Sequence, residues 1–591
     1  MGAFYALNPT EKCIFNFQLS IFNSINGMNF YRFVAESNLN VPMQSDQTFT
    51  VPFTHPLTPD KKFKKSVAYF SMEFAVDQAL KIYSGGLGFL AGSHMKSAYS
   101  LNQNLIGVGM LWKHGYYDQE RNVDNSMKPE FREKFYHFLV DTKTRVSIEI
   151  AGKTVWVQAY YLAPEVFNTA PMFLLTTDTD GNDAEARRIS YNLYSSDEAT
   201  KVAQCMVLGI GGTKMLDALQ YEPDVYHFNE AHALSGAFYL YQKYKTAPQL
   251  KKRFVFTTHT PEEAGNEKHD IHFLEYLGFF DGLPMATVRK ITGHMDNTFN
   301  HTLAALRLAR KANGVSKLHG EVSRQMWGGY DKICEIDHIT NAQNQIYWTD
   351  ETLEKARQEN DTTAIMARKE VLKKDLFKTV ANQCGKLFDP KVLTIVWARR
   401  FATYKRADML TWDRERFNKL MTNTKYPVQI IWAGKPYPKD MGAIDTFNGL
   451  VYLSNLYDNM AVLTGYELAL SKLIKDGTDA WLNNPVVTRE ASGTSGMTAG
   501  MNAALNVSTY DGWICEFARD GENSFIVPVA EGDDINKQDM DNLFDLIENQ
   551  VLPTYYDHPE KWQNMVLASM NDVHDFFGSD RMATEYYEKL Y

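Results

Sequence analysis

The sequence predicts an α/β protein made of two tandem units, each built on a parallel sheet. A grammar of short β-rich run, polar or glycine loop, then helix repeats from about residue 66, and it restarts near residue 392. Strands that alternate with helices need crossover connections, which lay neighbouring strands parallel. Between the two series lie residues 351–383, "ETLEKARQENDTTAIMARKEVLKKDLFKTVANQ", a polar, helix-prone stretch that reads as a connector.

In the first series "SVAYF" leads into "YSGGLGFLAGSHMKSA", "DVYHFNEAHALSGAFYLYQKY" supplies strand, loop and helix together, and "KRFVFTTHTPEEAGNEKHD" ends a strand in a His-Thr-Pro loop. The second series runs through "VLTIVWARRFATYKRADML", "VQIIWAGKPYP", "AVLTGYELALSKLI" and "DAWLNNPVVTREASGTSGM". Two such units set the carboxyl ends of two sheets against one cleft, where ligands of α/β folds bind. Residues 1–42 are poorly patterned and read as an extension, or as preceding a natural start at Met43. Residues 43–385 form the first unit, 386–576 the second, and 577–591, with "MATEYYEKLY", a helix that packs back on the first.

Composition narrows the function. The formal charge of −10 over 591 residues argues against nucleic acid as the main partner. No apolar run is long enough to cross a bilayer, and no secretory leader is evident. Cys13, Cys205, Cys334, Cys384 and Cys515 are scattered and odd in number, without metal-ligand spacing, which points to reduced thiols, a cytoplasmic protein and no metal.

Five loops carry candidate chemistry. "SGGLGFLAG", Ser84 to Gly92, opens a helix with free backbone N–H groups and is either an anion cradle or a close-packed turn. "WARRFATYKR" sets Arg399, Arg400, Lys405 and Arg406 just past an apolar strand, which suits a buried dianion or else a solvated turn. His232 and His259 each follow a strand, as catalysts or as satisfied structural residues. In "TREASGTSG", Glu490 can accept sugar hydroxyls, while Thr494 or Ser495 can cap a helix starting near Met497. No GxSxG elbow and no Cys/His pair supports acyl transfer.

Taken in order, "YFSMEF", "YSGGLG", "VYHFNEAHA", "FTTHTP", "NGVSKLHGEVSRQMW", "ARRFATYKR", "WAGKPYP" and "EASGTSGM" resemble the glycogen/α-glucan phosphorylase family, particularly its short bacterial branch, across residues 66–520. The resemblance implies a GT-B architecture of two Rossmann-like domains. It implies retaining transfer of glucose between an α-1,4-glucan or maltodextrin and phosphate, giving glucose 1-phosphate, by a homodimer. It places Gly85, Gly86 and Leu87 in the glycine loop beside the phosphates, and His259 by the glucosyl unit. Asn341 falls on a sugar hydroxyl, and Arg400 and Lys405 on the substrate phosphate. Glu490, Ala491, Ser492 and Gly493 fall on glucose hydroxyls. Arg399, Thr494 and Ser495 fall beside the family's cofactor, pyridoxal phosphate.

The family's loop reads Glu-Ala-Ser-Gly-Thr-x-x-Met-Lys, and its lysine holds the cofactor as a Schiff base. Here Thr498 stands at that place. A hydroxyl cannot form an imine, so the cofactor is expected noncovalently or not at all. Its phosphate acts in the family as a proton relay, and a positioned acid contributes about 10²–10⁴ in rate. Ala342 after Asn341, and Pro436-Tyr437 in "GKPYP", also depart from the family pattern. Three functions stay open: a phosphorylase, a cofactor-free retaining transferase using a nucleotide-sugar donor, and a silent glucan-binding relative.

Overall fold

The computed structural model describes residues 49–591; the extension expected over 1–42, with Cys13, lies outside the described residues. Two sheets organise the chain. The first has nine strands in the spatial order Glu335–His338, Lys311–Gly314, Phe254–Thr257, Val225–Asn229, Val67–Phe70, Leu105–Met110, Met172–Thr176, Lys153–Leu162 and Val140–Ile150. The first seven of these pair in parallel. Those at the centre are buried at every position and largely apolar, as strands covered on both faces must be, with His227, Asn229 and Thr257 as polar members.

One edge departs from the all-parallel expectation. Lys153–Leu162 runs antiparallel to both its neighbours, closing a hairpin with Val140–Ile150 through Ala151 and Gly152, both at positive φ. Burial alternates along both strands, because one face of this edge meets water.

The second sheet has six parallel strands in the order Met460–Leu463, Val428–Ala433, Leu393–Ala398, Ala480–Asn483, Leu505–Thr509 and Ser524–Val527. Trp397, Trp432 and Trp481 are fully buried in it. The stretch read as a connector is two helices, Glu351–Gln358 and Thr362–Cys384. The longer one packs Leu376, Phe377 and Val380 against this second sheet, and Lys373 pairs with Asp479 at a strand start. Together the sheets form the GT-B arrangement, two α/β units about a cleft. The Ser579–Glu585 helix returns to the first unit, where Ser579 meets Ser97 (2.5 Å) and the Tyr591 hydroxyl meets His227 Nδ1 (2.7 Å). Among the described residues no helix is long and apolar enough to cross a membrane.

Candidate active site at the cleft

The cation loop begins where the Leu393–Ala398 strand ends. Arg399 Nη2 and Lys405 Nζ each donate to the same atom, Glu490 Oε2, at 2.6 Å. All three side chains are at most 10% exposed. Burial raises the Glu490 pKa, but Lys405 and Arg399 outweigh it and bring the group down to about 2. Arg399 Nε and Nη1 are buried and have no hydrogen-bond partner among the described residues. Arg400 is exposed on the cleft wall. Partial desolvation lowers its pKa, yet Tyr404, Tyr116, Tyr194 and Glu73 raise it further, so it stays charged. Arg406 does not join the group. Its guanidinium is spent on Asn484 O (3.0 Å), Pro485 O (2.9 Å) and Asp539 (2.7 Å), fixing the start of the next loop.

That loop carries Glu490 from the Ala480–Asn483 strand to a short helix. It turns through Thr488 (φ +76°) and Gly493 (φ +84°), and Trp513 N donates to Ser492 O (3.0 Å). Glu490 N donates to Asp511 Oδ2 (2.8 Å), and Gly512 N to Asp511 Oδ1 (2.9 Å). Burial, with Glu490 nearby, pushes Asp511 up to about 7. The helix runs Ser495–Met501 and so begins two residues before Met497. Thr494 occupies the cap position without a side-chain capping bond. Ser495 Oγ accepts from Trp481 Nε1 (3.3 Å).

Opposite lies the glycine loop. Glu73 Oε2 accepts Ser84 N (2.6 Å) and Gly85 N (3.1 Å), and its Oε1 accepts the Tyr194 hydroxyl (2.6 Å). Two of the loop's donors therefore serve an internal carboxylate, and the N–H groups of Gly86 and Leu87 open the helix that follows. A Cβ added at Gly85 or Gly86 would meet no atom within 4 Å, so the loop faces open space.

His259 is half-buried. Its backbone N–H donates to Glu230 Oε2 (2.6 Å) and its Nε2 to Asn229 Oδ1 (2.7 Å). Burial, with His319 and His232 close by, lowers its pKa to about 3, which leaves a neutral ring. Glu230 sits at φ +71°, a conformation that costs a non-glycine residue on the order of 1 kcal/mol or more, and burial pushes its carboxyl up to about 7. Asn341 N donates to Val315 O (2.9 Å), while its buried Oδ1 has no partner among the described residues. The next residue along, Ser316, donates to Ala491 O (2.6 Å), which ties the sugar-loop candidate to the first unit.

Direct contacts thus join Arg399, Lys405 and Glu490, and Glu73 with Tyr194 links Gly85 to the surroundings of Arg400. His259 belongs to a separate cluster with Glu230 and Asn229. Thr498 is fully buried in its helix, and its hydroxyl bonds back to Ser495 O (3.0 Å). Sequence reasoning missed Glu73, Asp511 and Glu230. Each is a carboxylate that accepts backbone N–H groups, Glu73 the Tyr194 hydroxyl as well, and the only local signal is the glutamate inside "YFSMEF" and "FNEAHA".

Residues 335–542 match the family model described as carbohydrate phosphorylase. The chain is 44% identical to an uncharacterised protein of Methanocaldococcus jannaschii, over 89% of this chain and the whole of that one. It is 31% identical to the maltodextrin phosphorylase of Thermococcus litoralis, over 91% of this chain and 73% of the relative. With the glycogen phosphorylase of Mycobacterium tuberculosis the figures are 30%, 89% and 70%.

Proposed function

The chain belongs to the carbohydrate phosphorylase family of glycosyltransferase-type enzymes, and from that premise we propose that it is an α-glucan phosphorylase, releasing glucose 1-phosphate from an α-1,4-glucan and phosphate with retention. One observation carries this reading: Arg399 and Lys405 converge on Glu490, with charged Arg400 beside them, at the start of the loop that continues through Ser492, Gly493 and Thr494. A phosphate dianion entering beside Arg400 competes with Glu490 for Lys405. The carboxylate so released is an acceptor for glucose hydroxyls, as is Asn341 Oδ1. Gly86 and Leu87 N–H groups add donors from the other wall. Arg399 and Lys405 act from buried positions, where such charges stabilise developing negative charge most, and Arg400 from an exposed one beside them. The neutral His259 ring flanks the sugar without adding positive charge to an oxocarbenium-like centre.

Family members typically use pyridoxal phosphate, whose phosphate supplies a proton-transfer partner to the substrate phosphate. The phosphate end of that group fits this chain, because Arg399 Nε and Nη1 are unused donors and the glycine loop is open. Its aldehyde finds no amine at position 498, where the Thr498 hydroxyl is held by its own helix.

The test is glucose 1-phosphate release from maltodextrin plus phosphate, with and without added pyridoxal phosphate. Release that rises with the added cofactor is the expected outcome. No release in either tube, together with glucosyl transfer from a nucleotide-glucose, would overturn the proposal.

A further inference from the structure

A cavity with ≈ 470 Å³ of empty space opens beside Tyr194, whose ring lies close enough to Arg400 to raise its pKa and whose hydroxyl rests on Glu73 (2.6 Å). Small-molecule sites span about 300–1,000 Å³, so the volume is that of a ligand site. Its first-unit wall is the stretch from Arg188 to Ser196 with the start of the Glu198–Met206 helix. Its second-unit wall is Tyr437 and Lys439, which follow the Val428–Ala433 strand. The walls touch where the Tyr437 hydroxyl donates to Tyr194 O (3.3 Å) and Lys439 Nζ to Ser196 Oγ. Tyr194 is held at φ +60°, a backbone conformation that strains a non-glycine residue and recurs at ligand sites.

The charge of this lining is one-sided. Arg188 and Lys439 are its cations, and no carboxylate belongs to it. Arg187 next door pairs with Asp178 (3.4 Å) and Asp180 (3.2 Å), whereas the exposed Arg188 guanidinium has no ion pair or hydrogen bond among the described residues. Asp197 and Asp440, the carboxylates beside Lys439, each cap a helix, through Thr200 N (2.8 Å) and Ala443 N (3.0 Å).

A neutral glucan has no use for two cations. A phosphate monoester does, because a guanidinium forks two of its oxygens and an ammonium adds a point charge. The rest of the lining suits a sugar. Phe131, Tyr194 and Tyr437 offer partly exposed rings, apolar on the face and polar at the tyrosine tips. Asn192 gives its Oδ1 to His114 Nδ1 (2.8 Å), which leaves its Nδ2 as a donor.

We propose that this cavity is a second ligand site and that it takes a sugar bearing a phosphate monoester, the phosphate on Arg188 and Lys439 and the ring against Tyr194 and Tyr437. The ester arrives as a free hexose phosphate or on the end of a phosphorylated glucan, and the chemistry recognised is the same. The site is independent of the phosphorylase reading, in which neither cation has a part.

Calorimetric titration of the whole protein with glucose 6-phosphate, inorganic phosphate and maltose, repeated on Arg188→Gln, Lys439→Gln and Lys405→Ala, tests it. Glucose 6-phosphate should bind more tightly than the other two ligands. The first two substitutions should each weaken it about tenfold, a loss typical of a charge-assisted hydrogen bond, and the third should change it by less than about twofold. Inorganic phosphate binding as tightly as glucose 6-phosphate overturns the proposal in favour of a bare anion site. Absent binding overturns it too, as does binding lost in Lys405→Ala and kept in Arg188→Gln. Maltodextrin phosphorylated at O6 that binds more tightly than glucose 6-phosphate assigns the ester to a glucan, and weaker binding assigns it to a free hexose phosphate; both support the site. Sugar-phosphate binding without glucose 1-phosphate release sinks the phosphorylase reading alone, and the reverse pattern sinks this proposal alone.

Discussion

Lys405 and Arg399 hold one carboxylate oxygen between them, and this shared hold is what a single substitution can dissect. Removing Lys405 leaves Glu490 paired with Arg399, so the loop keeps one strong charge-assisted bond and its backbone anchor on Asp511. What is lost is the cation proposed to pass from Glu490 to phosphate. Lys405→Ala should then lower turnover by about 10²-fold or more, a loss typical of a removed electrostatic group, while glucan affinity changes only severalfold. Steady-state phosphorolysis and glucan binding on the same preparation make the comparison. Equal losses in both would contradict the assignment and make Lys405 a positioning residue for the sugar loop.

Two strand ends cross behind these side chains, and a glycine permits the crossing. Gly434 follows the Val428–Ala433 strand at φ +144°, and a Cβ there would lie 1.8 Å from Arg399 O. The peptide of Arg399 cannot be displaced without moving its guanidinium, since Arg399 N is bonded to Ala433 O (3.2 Å). Gly434→Ala should cost about 2–4 kcal/mol, combining overpacking against backbone with a disfavoured φ, and should lower activity beyond what the lost stability explains. Urea unfolding with the release assay measures both, and a change under about 0.5 kcal/mol would show that the loops adapt. At this scale the sequence was readable where chemistry is local. Runs such as "LTIVWA" and "VQIIWA" announced strands, and the loops after them held the cations and the sugar-loop carboxylate. The hairpin at "RVSIEIAGKTVWVQAYYL" carried an alternation and an Ala-Gly turn that the parallel reading passed over. Glu73 and Asp511 were hidden because their partners are backbone groups and, for Glu73, the Tyr194 hydroxyl, brought near by the fold.

Across the whole molecule, the two units meet on one buried carboxylate. Glu467, from the second unit, accepts Lys435 Nζ at Oε1 (2.9 Å), and Lys81 Nζ (2.7 Å) and Gln78 Nε2 (2.8 Å) from the first unit at Oε2. Lys435 also donates to Tyr117 O (2.7 Å), and the Tyr117 hydroxyl to Pro436 O (2.8 Å), so the junction is a network that fixes the cleft's width. Burial raises the Glu467 pKa, but Lys435 and Lys81 overcome it and bring the group from 4.5 to about 2. A carboxylate with a depressed pKa stabilises the fold fully above its unfolded value, and that stability is lost as pH falls toward the folded value. At about 1.4 kcal/mol per unit, the network contributes on the order of 3 kcal/mol at neutral pH. Glu467→Gln leaves the buried Lys435 ammonium without its counter-charge, while the partly exposed Lys81 keeps Asp118 (3.7 Å), a loss of about 3 kcal/mol by comparison with other broken buried pairs. The variant should therefore unfold at lower denaturant than the parent at pH 7, and the gap should narrow as pH falls from 4.5 toward 2, because the parent's own carboxyl takes up its proton there. Unfolding curves for both proteins across that range test the claim. A gap that stays constant with pH would mean that Glu467 acts through packing and hydrogen bonding alone, and that charge does not hold the cleft.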